Sequence, residues 1–90
     1  MRMTIYLGNL LGPLSNNYQF ADGSTIRRSS SESLLYDGAG RMIHIQFYRN
    51  PPHGYEYEIP KKIQGEERVA LVEKIELYCK KKNLRPVRSI

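Results

Sequence analysis

The hydrophobic period of this chain changes once, near Gly65, and the change orders its elements. Upstream, apolar and polar residues alternate, which is the pattern of half-buried strands. Met3, Ile5 and Leu7 share one side of a short run. In Arg41–Tyr48, Ile43, Ile45 and Phe47 share one face, and Met42, His44, Gln46 and Tyr48 share the other. In the next run Tyr55, Tyr57 and Ile59 point inward, Glu56 and Glu58 point outward, and Pro60 ends the strand. From Gly65 to about Leu84 the period becomes helical. Leu71, Val72, Ile75, Tyr78 and Cys79 fall within an arc of about 120°. Glu66 and Glu67 in the first turn and Lys80–Lys82 in the last suit the helix dipole. Asn83 terminates the helix and Pro86 cannot continue it. Val69, Ala70 and Leu77 form a second, narrower apolar face, a candidate homodimer contact.

Turn chemistry divides the strand region. Asp22-Gly23 between β-prone runs signals one hairpin, because both residues tolerate positive φ. Gly38-Ala39-Gly40 signals a second. Gly8–Asn17 reads as loop, with Leu10, Leu11 and Leu14 as apolar punctuation, and the serine run Ser29–Ser33 reads as a flexible connection. Asn50-Pro51-Pro52-His53-Gly54 is a loop as well. With two hairpins and no strand–helix–strand alternation, the expected fold is α+β. It has an antiparallel sheet of about five strands and one C-terminal helix packed on a face. Ninety residues make one domain, 1–90.

Charge is unevenly distributed. Residues 1–79 carry nine Lys or Arg and nine Asp or Glu, so the net charge of +5 comes from Lys80, Lys81, Lys82, Arg85 and Arg88. A neutral body with a basic tail, residues 80–90, offers one local handle to a polyanion. The single cysteine, Cys79, rules out an internal disulfide framework and points to a reducing, cytoplasmic home. The opening residues are too short and too broken by Gly8, Asn9 and Gly12 for a signal peptide, and no stretch approaches a membrane span.

Catalytic and cofactor patterns fail on chemistry. Gly38-Ala39-Gly40 starts like a dinucleotide fingerprint, but Ile43 stands where the third glycine belongs and no helix follows. His44, His53 and Cys79 match no zinc spacing. His44 reads as a surface histidine, His53 as a loop residue and Cys79 as a small buried hydrophobe. Glu56 and Glu58 on an outward face read as solubilising or charge-paired with Arg41, Arg49 or the lysines. No serine has a neighbouring base in sequence. The expectation is a non-enzymatic protein without cofactor or metal.

Four stretches carry a family resemblance: Ser29-Ser30-Ser31, Leu34-Leu35-Tyr36-Asp37, Arg41–Phe47, and Tyr55-Glu56-Tyr57-Glu58-Ile59-Pro60. Over residues 30–60 the chain resembles a KTSC-type domain. The resemblance implies a small α+β module with a β-hairpin followed by a helix, and RNA-related roles.

Two functional readings stay open. In the first, Lys80, Lys81, Lys82, Arg85 and Arg88 contact nucleic-acid phosphates, joined by Arg27 and Arg28 if the fold brings them near. In the second, the protein is a virus- or mobile-element-type inhibitor or adaptor. It docks on a protein through Tyr48, Arg49, Pro51, Pro52, His53 and Tyr55, with the basic tail steering toward an acidic partner. A small-molecule pocket between sheet and helix is a third option on which the sequence is neutral.

Overall fold

A computed structural model describes residues 17–90 of the chain. The alternating run at Met3–Leu7 and the Leu10–Leu14 loop lie outside these residues. Six strands and one helix follow in order: β1 (Asn17–Gln19), β2 (Thr25–Ser30), β3 (Ser33–Gly38), β4 (Arg41–Arg49), β5 (Tyr55–Glu58), α1 (Gly65–Lys82) and β6 (Val87–Ser89). They form one mixed sheet with spatial order β1-β2-β3-β4-β5-β6. The first five strands make an antiparallel meander. The last joins β5 in parallel.

The α+β architecture with a C-terminal helix is as expected, and the sheet of about five strands has six among the described residues. One expectation is corrected by this topology. The chain contains a strand–helix–strand unit, because β5, α1 and β6 form a parallel crossover. Three residues with Pro86 just before them are too short a run for alternation to register as a strand. Neighbouring β5 supplies the ladder instead. Tyr55 N–H donates to the Pro86 carbonyl at 2.8 Å, and Ile90 N–H donates to the Tyr57 carbonyl at 2.9 Å.

The serine run is the second correction. Ser29 and Ser30 end β2 and Ser33 begins β3, so the segment is itself a tight hairpin. Its hydroxyls interlock: Ser33 Oγ bonds Ser29 Oγ and lies 2.8 Å from Ser30 Oγ. Short polar side chains that bond locally are what such a turn needs. The two turns read from Asp22-Gly23 and Gly38–Gly40 are where the sequence placed them.

Alternation sorts the sheet into two faces. Ile26, Leu34, Ile43, Ile45, Phe47 and Tyr57 turn to the helix side, where Leu71, Ile75, Tyr78 and Cys79 of α1 meet them in one buried cluster. Leu35 turns to the opposite face, between its ladder neighbours Arg27 and His44. Gly38 is set by close approach, since a Cβ there would lie 2.5 Å from the Tyr36 hydroxyl and 2.6 Å from Ser24 Cβ.

The helix ends as its residues dictate. Asn83 adopts the left-handed conformation at φ 61°. Leu84 N–H donates to the Cys79 carbonyl at 2.8 Å, and Asn83 N–H donates to the Lys80 carbonyl at 3.3 Å. This Schellman-type closure satisfies two otherwise orphaned carbonyls and redirects the chain toward β6. Among the described residues no helix is long and apolar enough to cross a membrane.

Candidate functional site

The basic tail expected at residues 80–90 is not an extension. Lys80–Lys82 complete α1 and Arg88 lies in β6, so its five cations are dispersed. Lys80 and Lys81 are exposed on the last helical turn. Lys82 is half-buried, and burial lowers its pKa.

Arg88 is exposed but paired. Its Nε donates to Glu56 Oε2 at 2.7 Å, and its Nη2 reaches the same oxygen. Asn50 Nδ2 donates to the other carboxylate oxygen at 3.0 Å. Glu56 is only 2% exposed. The bonds from Asn50 and then Arg88 hold its carboxyl below the usual carboxylate range. The outward, solvated Glu56 read from alternation is therefore corrected. Its strand face is right, but β6 and the Asn50 loop cover it. Its partner is Arg88, not Arg41, Arg49 or a lysine. Arg41 pairs with Glu67 instead.

Arg27 and Arg28 do not converge with the helix end as a pair, because neighbours on a strand face opposite ways. Arg27 is exposed on the face away from α1. It stands on β2, four strands from Arg88 on β6, about 19 Å at ordinary strand spacing. Arg28 turns to the helix side. Its guanidinium lies 5.0 Å from the Phe47 ring centroid and donates to the carbonyls of Ser30 at 3.2 Å and Ser31 at 3.0 Å. Those contacts engage it structurally.

The structure instead joins members of the two residue sets that the sequence kept apart. Arg49 at the end of β4 and Arg85 after the helix line one groove of about 360 Å³, with Pro51, Pro52, Tyr55 and Asn83. Among the described residues no carboxylate lines it. Among the described residues neither arginine makes a salt bridge or a side-chain hydrogen bond, and both are exposed. The register puts Arg49 opposite Tyr55 and Tyr55 opposite Val87, so the β5–β6 ladder brings residues 85–87 beside the β4 end. Asn50 N–H donates to the Gly54 carbonyl at 2.7 Å and closes the 50–54 loop over this edge. Gly54 takes φ 97°, and a Cβ on it would meet the Pro86 carbonyl oxygen at 2.5 Å. Of the remaining loop residues, His53 is exposed at the tip. Tyr48 is on the opposite sheet face with Glu56, its pKa raised by burial and by the charges of Glu56 and Glu58. It is not part of the groove.

A second polar constellation lies between the two turns at Asp22 and Gly38. Lys74 Nζ donates to Asp22 Oδ2 at 2.6 Å, Ser24 Oγ at 3.0 Å and the Tyr36 hydroxyl at 3.2 Å. Ser24 Oγ donates to Asp22 Oδ1 at 2.6 Å. An open cavity of about 530 Å³ adjoins these groups. A serine–lysine pair in a hydrolase requires a neutral lysine to take the hydroxyl proton. Here burial opposes the Lys74 charge, but the bonds from Asp22 and Tyr36 prevail and raise its pKa. All three ammonium protons are committed. The cluster clamps α1 to the β1–β2 hairpin and keeps Lys74 charged, so the lysine does not act as a base toward Ser24.

Cys79 is fully buried, and burial pushes its thiol up to about 12. His44 is exposed on the sheet face away from the helix, as read from alternation. Among the described residues no group of three His, Cys, Asp or Glu is placed to hold a metal ion. Comparison of the chain with known protein families, with curated proteins and with solved structures gives no match.

Proposed function

We propose that this protein binds nucleic acid through the cationic groove at the C-terminal end of α1. The observation that carries the reading is the meeting of Arg49 and Arg85 in a groove without a carboxylate. Lys80 and Lys81 stand one turn earlier on the helix and widen the positive field. The contact set thus becomes Arg49, Arg85, Lys80 and Lys81. Arg88 is neutralised by Glu56, Arg28 is held by the 30–31 turn, and Arg27 is remote. The KTSC resemblance over residues 30–60 favours RNA as the natural form of the ligand.

Four phosphate contacts make log K fall with log salt at a slope of about −3 on a single strand. Fluorescence anisotropy of a labelled 20-nucleotide RNA at several salt concentrations measures this. The double variant Arg49→Gln, Arg85→Gln is expected to reduce the slope to about half and the affinity by about tenfold or more at low salt. Equal binding by parent and double variant would overturn the reading. An acidic protein as occupant of the same groove is the competing outcome. Retention of a protein partner at high salt, with no RNA bound at low salt, would favour it.

A further inference from the structure

We infer that the groove takes one unstacked nucleotide of a single strand, with its base on the Tyr55 ring and its flanking phosphates on Arg49 and Arg85. The inference rests on the nucleic-acid reading above and specifies its ligand. Tyr55 is half-buried, and its ring stacks on Phe47 at 5.3 Å between centroids with planes 10° apart. Phe47 is fully buried and carries the Arg28 guanidinium over its ring. The Tyr55 backbone is pinned between β4 and β6. The ring is therefore held in place at little remaining entropic cost, which is what a stacking platform needs.

Tyr55 lines the same groove as the two arginines. A volume of about 360 Å³ is at the small end of ligand sites and suits one nucleotide. A base inside a duplex already has both faces covered, so an aromatic ring in a groove reads only a splayed or single strand. The arginines lie beside the ring and contact the backbone on either side. Pro51 and Pro52 supply an apolar wall without N–H donors, which favours contact with any base over recognition of one.

The test uses the full chain and three fluorescein-labelled probes: dT12, the same backbone with abasic sugars, and a hairpin duplex of equal charge. Binding to dT12 is expected to be about 5- to 100-fold tighter than to either of the others, the range that base–aromatic stacking supplies. Tyr55→Leu is expected to remove that advantage and leave abasic binding unchanged, while Tyr55→Phe keeps it. Because Tyr55 packs on Phe47, a measurement on the unmutated chain stands beside the variants. The Tyr55 ring protons are expected to shift upfield on addition of dT12 and not of the abasic strand.

Equal binding of dT12 and the abasic strand, with a steep salt slope, would overturn the stacking inference and leave the electrostatic reading intact. If none of the three probes bound, both would fall. Binding of a labelled twelve-residue polyglutamate as tightly as dT12 would also overturn the inference, in favour of an acidic protein.

Discussion

Arg88 Nε donates to Glu56 Oε2 at 2.7 Å, across a parallel pair of strands whose register sets the two residues side by side. The last basic residue of the chain is thereby spent on a carboxylate of its own sheet. The buried acid and the edge arginine explain each other. Glu56 is tolerated at 2% exposure because Arg88 and Asn50 satisfy both of its oxygens.

This pair makes a prediction about acid. The Glu56 carboxyl is depressed in the folded state, and so is that of Asp22 through its bonds from Lys74 and Ser24. Depressed carboxyls contribute stability that is present above their unfolded pKa, about 4, and lost as pH falls through the folded values. Urea unfolding at pH 7, 4 and 3 is expected to show this decline. Glu56→Gln is expected to lower stability at pH 7 and flatten the decline. An unchanged acid profile in that variant would show that the pair does not set it.

Variants of the Arg88–Glu56 pair separate stability from binding. Arg88→Gln strands a buried carboxylate and is expected to lower the melting temperature. The double variant Arg88→Gln, Glu56→Gln removes the pair without changing the net charge, and it is expected to change RNA affinity by less than about twofold. A loss as large as that of Arg85→Gln would return Arg88 to the contact surface.

Gly54→Ala tests the join between the 50–54 loop and the segment leading into β6. The backbone is at φ 97°, and the added Cβ would meet the Pro86 carbonyl oxygen at 2.5 Å. The expected cost is about 1–3 kcal/mol, from overpacking against main chain that cannot rotate away. A far smaller cost in denaturant titration would mean that this contact is loose.

The core predicts in the same units. Phe47 is fully buried under α1 and stacks on Tyr55. Phe47→Ala is expected to cost about 3–5 kcal/mol in chemical denaturation. Val69→Ala, on the exposed side of the helix, is expected to stay within about 0.5 kcal/mol. If Val69→Ala proved as damaging, the exposed helix face would be an interface.

Alkali acts through the buried thiol. Cys79 is held up to about 12, against an unfolded value near 8.5. Its contribution is complete below the unfolded value and lost as pH rises toward the folded one. Between pH 9 and 10 this group is expected to remove about 1 kcal/mol of stability, because the unfolded thiol is only partly ionised at the start of that range. Cys79→Val is expected to remove that slope. A thiol reagent at pH 8 is expected to label the native chain at least about 100-fold more slowly than the denatured chain.

The strands β2 to β5, the helix and the two turns at Asp22 and Gly38 were legible because their causes are local. Period two, period 3.6 and turn residues act over a few positions and need no knowledge of the rest of the fold. The helix end at Asn83 was legible for the same reason. Other features depend on distant partners. Val87–Ser89 is a strand because Tyr55–Tyr57 offers an open ladder edge. Glu56 is buried because Arg88 and Asn50 cover it. The serine run is a hairpin because β2 and β3 have matching apolar faces on either side of it.

Sequence by itself determined which residues face the core, where the helix begins and ends, and that the cations gather late in the chain. Tertiary structure decided which of those cations stay open. Arg49 and Arg85 carry no mark in sequence that joins them, since their proximity comes from a crossover that runs through the whole of α1 and returns beside β5. Charge is a property of composition, whereas its availability depends on which opposite charge the fold brings within bonding distance.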